Sequence, residues 1–144
     1  MKLVICAQDI RSITFGFVTN TGEVCEATIE TQPEGYLQAL DQTLKKWKIV
    51  LTDLSEILVV TGPGSFTASR VSTTIGNGLA FAQGIPIRGI ENVEHLSWQE
   101  LLSQVSSKQQ THVFPSYDRP PEITKEKKRN GDNEPDRDSL KMLL

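Results

Sequence analysis

The sequence predicts an α/β fold in which helices pack against a mixed β-sheet. After their first residues, Lys2–Cys6 and Glu56–Val60 are uninterrupted apolar runs, which are typical of strands buried on both faces. Farther along the chain, strand patterns alternate with helix patterns, and this order is that of βαβ units. A hairpin placed before such units adds antiparallel strands, so we expect parallel and antiparallel pairs in one sheet.

Two strands and one helix are predicted between these two runs. Ile13–Val18 and Glu23–Glu30 flank the tripeptide Asn-Thr-Gly at 20–22, and an Asn and a Gly between apolar runs favour a hairpin turn. Gly35–Lys48 then carries apolar residues at spacings of three and four, which is the pattern of an amphipathic helix. The apolar stripe of this helix consists of Leu37, Leu40, Leu44 and Trp47.

A glycine-rich turn and a long helix follow the second apolar run. Residues 61–67 have loop chemistry, and the pattern predicts a helix from about Phe66 to Gln83. Gly84 is expected to end this helix, and Pro86–Ile90 is expected to form another strand. A last helix is predicted from Asn92 onward, with its apolar side at Val93, Leu96, Leu101 and Val105.

The composition predicts one domain and a tail. Residues 1–107 contain all the predicted strands and helices, and they form a single predicted domain. Residues 108–144 contain several prolines and a dense mixture of charges, with few apolar side chains. Such a segment buries too little apolar surface to offset the entropy of ordering. We therefore expect this tail to be disordered.

The helix predicted over 66–83 has two different apolar faces. Ala68, Ser72, Gly76 and Ala80 recur at every fourth residue and place small side chains on one side. A small face allows another helix to approach closely, whereas a bulky face suits packing on the sheet. The spacing leaves open whether the approaching helix is the chain's own Gly35–Lys48 helix or belongs to a partner. The bulkier face consists of Val71, Ile75, Leu79 and Ala82.

The turn Gly62-Pro-Gly-Ser-Phe66 allows two interpretations. Backbone N–H groups at the start of a helix bind anions, so the turn could hold a phosphate group. The turn lacks the Gly-Lys-Ser/Thr sequence of a P-loop, and Arg70 lies well inside the helix. The other interpretation is a tight connection from strand to helix, in which glycines permit close packing.

The bulk composition argues against several other classes of protein. The formal net charge is -3, which does not favour broad binding to a nucleic-acid backbone by this chain alone. No stretch is apolar and long enough for a signal peptide or a membrane span. We therefore expect a cytoplasmic protein that contacts no membrane. We also expect no metal ion and no cofactor.

The turn and the following helix resemble the signature of the TsaB (YeaZ) family. That signature reads Gly-Pro-Gly-Ser-Phe-Thr-Gly, then Arg after one or two residues, and then a small-residue helix that ends near Gly-Ile-Pro. Here Gly62–Arg70 and Gly84–Ile87 match it at the expected spacing, and Gly89–Glu94 resembles the next family motif. The residues that match the family's turn motif are Gly62, Pro63, Gly64, Ser65, Phe66, Thr67 and Arg70.

The resemblance implies a fold, a role and a partner. Family members have a ribonuclease H-like fold, the half-domain of actin/Hsp70-type ATPases, and they have lost catalytic activity. They pair with TsaD, which transfers a threonylcarbamoyl group to tRNA adenosine. Two of their helices form a helical bundle, either with TsaD or with a second copy of the same protein. Carried over, these helices are Gly35–Lys48 and Phe66–Gln83. The residues then expected to bind the partner are Leu37, Leu40, Leu44, Ala68, Ser72, Gly76 and Ala80.

Departures from the family pattern bear on this implied role. Ala7, Gln8 and Asp9 stand where the family's first strand ends in Asp-Thr-Ser, so nucleotide handling there is not expected. Because the family's second domain should begin after the last predicted helix and no match to it follows, we also expect a shortened form without that domain. We therefore expect a non-catalytic scaffold subunit for a TsaD-like transferase, which would meet tRNA only within the complex. A TsaE-like ATPase is a further candidate partner. The alternatives are a nucleotide-binding enzyme that uses the Gly62–Phe66 turn and a self-associating homodimer.

Overall fold

A computed structural model describes residues 1–104 and 109–116 of the chain. The described residues form five strands and three α-helices, which follow the predicted order. The strands are β1 (Lys2–Cys6), β2 (Ser12–Val18), β3 (Val24–Glu30), β4 (Glu56–Gly62) and β5 (Ile87–Glu91). The helices are α1 (Tyr36–Lys46), α2 (Phe66–Gln83) and α3 (Trp98–Gln104).

The strands form one mixed sheet in the order β3-β2-β1-β4-β5. The β1–β2 and β2–β3 pairs are antiparallel, whereas β4 runs parallel to both β1 and β5. The central strand β1 thus joins a hairpin to two parallel strands. This arrangement confirms the predicted mixed sheet, and it brings the C-terminal ends of β1, β4 and β5 to the same edge.

Both long helices pack on one face of the sheet. The core on this face includes Ile5, Phe15 and Val59 from the strands, together with Tyr36 and Leu40 from α1. All five side chains are at most 2% exposed. Burying side chains of this size contributes roughly 1.5–3 kcal/mol each. The large apolar residues of the strands therefore dictate how closely each helix can approach.

The last helix is shorter than predicted and covers the opposite face of the sheet. It begins at Trp98 instead of Asn92, because the Asn92 side chain bonds both the N–H and the C=O of Leu96 and holds a turn before the helix. Trp98 packs with Val4 and Leu58 and lies against Gly16, where an added Cβ would come within 2.7 Å of the indole. Of the side chains predicted to point inward, Leu101 is buried and Val93 is exposed. Val105 lies outside the described residues.

The orientation of α2 is the reverse of the predicted one. Its small side chains face the sheet, and the exposed fractions of Ala68, Ser72 and Ala80 are between 0 and 2%. A Cβ at Gly76 would overlap Val59 and approach Ile87. The bulkier Val71, Ile75 and Leu79 are only partly buried at the edge of this core. The physical reason is steric, since β-branched strand residues already fill the space between helix and sheet.

A segment that the sequence analysis assigned to the tail packs against the domain. We call residues 109–116 the strap. Gln110 forms an antiparallel bridge with Ile87 of β5, and Val113 is 3% exposed. The domain therefore extends to residue 116, beyond the predicted boundary at 107. The remainder of the predicted tail, residues 117–144, lies outside the described part of the chain.

Candidate partner-binding surface and glycine-rich turn

The outward side of α2 carries little charge for a solvent-exposed surface. We call its exposed positions the outer face of α2. Arg70 is the one charged side chain within Phe66–Gln83, whereas Phe81 is 89% exposed. A shallow cavity of about 240 Å³ opens beside Thr74 and Ile75. The outer face consists of Phe66, Thr67, Arg70, Thr74, Gly78, Phe81 and Ala82.

The charge on the outer face of α2 is held against an aromatic ring. The Arg70 guanidinium carbon lies 5.5 Å from the centre of the Phe66 ring, which is within the range of a cation–π contact. Phe66 is 39% exposed despite this contact. The first two turns of the helix thus present an exposed aromatic ring with one positive charge beside it.

The structure distributes the predicted partner-binding residues between the surface and the interior. Leu37 is 61% exposed on α1, but Leu40 and Leu44 are buried in the core. Ala68, Ser72, Gly76 and Ala80 lie beneath α2 against the chain's own sheet, so they are not accessible to a second molecule. Partner binding remains a prediction, and among the residues first chosen only Leu37 is exposed. The outer face was not expected from the sequence, because the bulkier Val71, Ile75 and Leu79 were predicted to face the sheet.

The glycine-rich turn is closed by its own contacts with the loop after β1. Gly62 has a φ of 132°, which favours glycine, and the peptide bond before Pro63 is cis. Gly64 lies so close to Gln8 that an added Cβ would collide with the backbone of Gln8. The Ser65 N–H donates to the Gln8 carbonyl at 2.8 Å. Because this N–H is already paired, the turn offers a phosphate group less than its sequence implied.

The first turn of α2 is also capped from within. The Ser65 side chain accepts a hydrogen bond from the Ala68 N–H at 3.3 Å, which is the usual role of serine at a helix start. The motif residues Thr67 and Arg70 then point outward, since both are exposed. The turn motif thus divides into a partly buried connection, from Gly62 to Gly64, and a surface portion on α2.

Two amide side chains fill the edge where β1, β4 and β5 end. The Gln8 side chain donates to the carbonyls of Pro63 and Asn92 at 2.6 and 2.9 Å. The Asn92 side chain in turn donates to the Gln8 carbonyl oxygen Oε1 at 2.9 Å. Ligands of open α/β sheets commonly bind at this edge of parallel strands. Here the edge is occupied by a network that links three loops, and its amides are neutral.

Two titratable groups near the end of β1 have shifted pKa values. Side-chain and backbone hydrogen bonds from Arg11 lower the pKa of the exposed Asp9 carboxyl to about 2, so Asp9 is a paired anion at neutral pH. Burial, and then the charge of Glu26, raise the pKa of the Cys6 thiol to about 11, which suppresses the reactive thiolate. Within residues 1–104 and 109–116, no three His, Cys, Asp or Glu side chains are grouped as metal ligands.

The structural roles of three residues were not predicted from the sequence. Asn92 joins the loops at the strand ends, Asn77 bonds the strap, and Trp98 docks α3 through a 2.8 Å hydrogen bond to Glu26. Polar residues near predicted helix ends are common, so the sequence held no specific signal for the two asparagines.

No helix of the described chain is both long enough and apolar enough to cross a bilayer.

Comparisons with known proteins agree with this fold. Residues 24–115 match the family model of TsaD, described as tRNA N6-adenosine threonylcarbamoyltransferase. Over 61 residues the chain is 34% identical to the tRNA threonylcarbamoyladenosine biosynthesis protein TsaB of Bacillus subtilis (strain 168). That stretch covers 42% of this chain and 27% of the relative.

Solved structures show the same architecture. YeaZ from Pseudomonas aeruginosa superposes with a TM-score of 0.60 at 19% identity, over 72% of this chain and 50% of that chain. A second P. aeruginosa structure, of a protein with similarity to peptidase YeaZ, gives a TM-score of 0.58 at 18% identity with the same coverage. The chain thus spans about half the length of the solved relatives it matches.

These comparisons confirm the predicted ribonuclease H-like fold and the resemblance carried by the glycine-rich turn. Because the family model matches more than half of the sequence, the chain belongs to the family that the TsaD model describes, tRNA N6-adenosine threonylcarbamoyltransferase, and over 61 residues it is similar to TsaB.

Proposed function

We propose that the chain acts in tRNA threonylcarbamoyladenosine biosynthesis as a non-catalytic subunit that supports a TsaD-like transferase. The outer face of α2 is the surface that would bind this partner. The observation that carries the proposal is the sparse charge of this face, with Phe66 and Phe81 exposed and Ile75 half-buried. Exposed aromatic and aliphatic groups with a charged rim are typical of protein interfaces.

The contacts around the glycine-rich turn support a role without chemistry. The amide network of Gln8 and Asn92 fills the strand-end edge, and the Ser65 N–H is engaged by the Gln8 carbonyl. Asp9 is paired with Arg11, and the Cys6 thiol is kept protonated. The groups named here are thus engaged in contacts within the chain, which supports a role without chemistry. Any catalytic group would come from the partner.

The partner assignment follows from the family. A TsaD-like transferase fits because the chain shares that family's domain and a TsaB-like signature. A net charge of -3 disfavours an independent tRNA site, so tRNA would bind the assembled complex. A TsaE-like ATPase would be a further member of such a complex, and it would join through the transferase.

The test is a charge placed in the middle of the outer face of α2. Gly78 has no atom within 4 Å of an added Cβ, so Gly78→Arg is expected to leave the fold intact. An unpaired charge buried at an interface costs about 3–5 kcal/mol, which would abolish binding at micromolar concentrations. Isothermal titration calorimetry with the TsaD-like transferase of the source cell measures this loss.

The matched control carries the same charge on α1. Gln42 is exposed on the polar side of that helix, so Gln42→Arg is expected to bind the transferase like the unmodified chain. Equal affinity of the Gly78→Arg variant and the unmodified chain would refute the assigned surface. Circular dichroism of both variants establishes that the fold is kept.

Two alternative functions predict different results in the same preparation. If two copies pair through the outer face of α2, light scattering gives a dimer that the Gly78→Arg variant converts to a monomer. If the Gly62–Phe66 turn binds nucleotide, calorimetry with millimolar ATP gives a binding heat. We expect no such heat, because the Ser65 and Ala68 N–H groups are already paired.

A further inference from the structure

The strap occupies a groove between α2 and β5. One wall of this groove is the polar side of α2 at Asn77, and the other is the free edge of β5 at Ile87 and Gly89. The end of β4 at Thr61 closes the groove at its far end. We call this the strap groove, and we define it by these four residues.

Most contacts in the strap groove bind the backbone of the strap. The N–H and C=O of Gln110 pair with the C=O and N–H of Ile87 at 2.8 and 3.0 Å. The Asn77 side chain accepts from the Val113 N–H and donates to the Val113 C=O, both at 2.8 Å. The Ser116 N–H donates to the Thr61 carbonyl at 2.8 Å. Pairing with a strand edge and an amide clamp is a common way for proteins to bind an extended peptide.

One side chain of the strap provides an anchor. Val113 is 3% exposed and lies against Gly89, where an added Cβ would approach the valine methyl group to 3.1 Å. Its neighbour Phe114 is 75% exposed, so the alternate side chain points away from the groove. The groove therefore binds the backbone over several residues and selects an apolar side chain at one position.

We propose that the strap groove is a peptide-docking site that residues 110–116 occupy within the same chain. The strap docks as an extended segment, independently of the covalent path that leads to it. This inference does not depend on the proposed partner, because the groove and the outer face of α2 use different residues. The strap covers the free edge of β5, an edge that would otherwise be open to pairing with another chain.

Release of the strap by Val113→Asp in the full chain tests the proposal. A fluorescent synthetic peptide with the sequence of residues 109–116 serves as the probe, and anisotropy measures its binding. The unmodified chain is expected to bind no peptide, since a tethered segment has an effective concentration of about millimolar. The Val113→Asp chain is expected to bind the unmodified peptide saturably. A peptide that carries the same Val→Asp change is expected not to bind this chain.

Amide hydrogen exchange can detect the effect of a milder substitution that weakens the docking of the strap. Asn77→Asp keeps the acceptor for the Val113 N–H but replaces the donor to the Val113 carbonyl with an oxygen. We expect exchange of the Val113 and Gln110 amides to accelerate by roughly tenfold, as loss of a buried hydrogen bond implies. Thr74→Ala, on the exposed side of the same helix, is expected to leave both rates unchanged.

Three outcomes would overturn the proposal. One is a Val113 amide in the unmodified chain that exchanges as fast as in the free peptide. Another is equal binding of the two peptides to the Val113→Asp chain. The third is a dimer of the unmodified chain that Val113→Asp dissociates, which would assign the groove to the strap of a second copy.

Discussion

The two sides of α2 make opposite use of glycine. Gly76 faces the sheet, where an added side chain would overlap Val59, whereas Gly78 faces outward and has open space around it. Both residues cost the helix roughly 1 kcal/mol relative to alanine, because glycine loses more backbone freedom on folding. On the inner side this cost is offset by close packing. On the outer side nothing within the described chain offsets it.

This contrast indicates which side of α2 is available for docking. Apart from Leu37, the exposed side of α1 carries polar and charged residues, with an ion pair of 2.9 Å between Asp41 and Lys45. The outer face of α2 has instead one charge and a bare glycine among exposed apolar groups. A helix that leaves a flat, weakly charged side exposed is a better candidate for docking than one that is already well solvated.

The largest effect is expected where α2 meets the sheet. Gly76→Leu forces a large side chain between the helix and Val59, and overpacking of this kind costs about 1–3 kcal/mol or more. Urea denaturation of the purified chain should give a markedly lower free energy of unfolding. Gly78→Leu adds the same side chain on the open side and serves as the control. Equal stability of the two variants would remove the contrast between the two sides.

A smaller effect of opposite sign is expected on the outer face. Gly78→Ala should raise the free energy of unfolding by about 0.5–1 kcal/mol, since alanine favours the helix and meets no neighbour. Thermal unfolding followed by circular dichroism measures the change. A destabilised Gly78→Ala variant would mean that the space beside Gly78 is filled within the chain. In that case, the outer face of α2 could not serve as a docking surface.

The smallest effect is expected at Thr74. Its side chain is exposed, and its hydroxyl donates to the Arg70 carbonyl of its own helix at 2.7 Å. Thr74→Ala should change the free energy of unfolding by no more than about 0.5 kcal/mol. The same denaturation series provides the measurement. A loss well beyond this value would show that the outer face contributes to the fold itself.

The order of the strands and helices along the chain, and the positions of α1 and α2, could be predicted because each rests on a local signal. The apolar run at the start of β4 and the Asn-Thr-Gly tripeptide at 20–22 have the patterns expected of a buried strand and a hairpin turn. The glycine motif then identified the family, which supplied the ribonuclease H-like fold. The ends of α3 were less predictable, because the turn at Asn92 depends on hydrogen bonds to Leu96.

The orientation of α2 could not be predicted from hydropathy. Ser69, Ser72 and Thr73 are buried, whereas Phe81 is almost fully exposed, so polarity does not separate the two sides of this helix. The deciding factor is the shape of the sheet surface, where Val59 and other large residues leave room only for small ones. Which residues oppose one another across two layers depends on register and helix rotation, and the sequence states neither.

The strap could not be predicted for a different reason. Its stability comes mainly from backbone hydrogen bonds to Asn77, Ile87 and Thr61, and such bonds leave no trace in the composition of the strap. The segment looks like a tail because it contains one buried apolar residue, Val113. Short docked segments of this kind become visible only when the groove that receives them is known.

The chain's two tryptophans stand on opposite faces of the sheet, and this gives the fold a pair of optical reporters. Trp47 meets Phe17 edge-on at 5.0 Å beneath α1, and Trp98 donates to Glu26 beneath α3. Replacing either indole with phenylalanine leaves the emission of the other, so each layer can be followed separately during denaturation. Coincident transitions would mean that both layers melt as one cooperative unit, whereas an earlier loss of the Trp98 signal would identify α3 as the part that opens first.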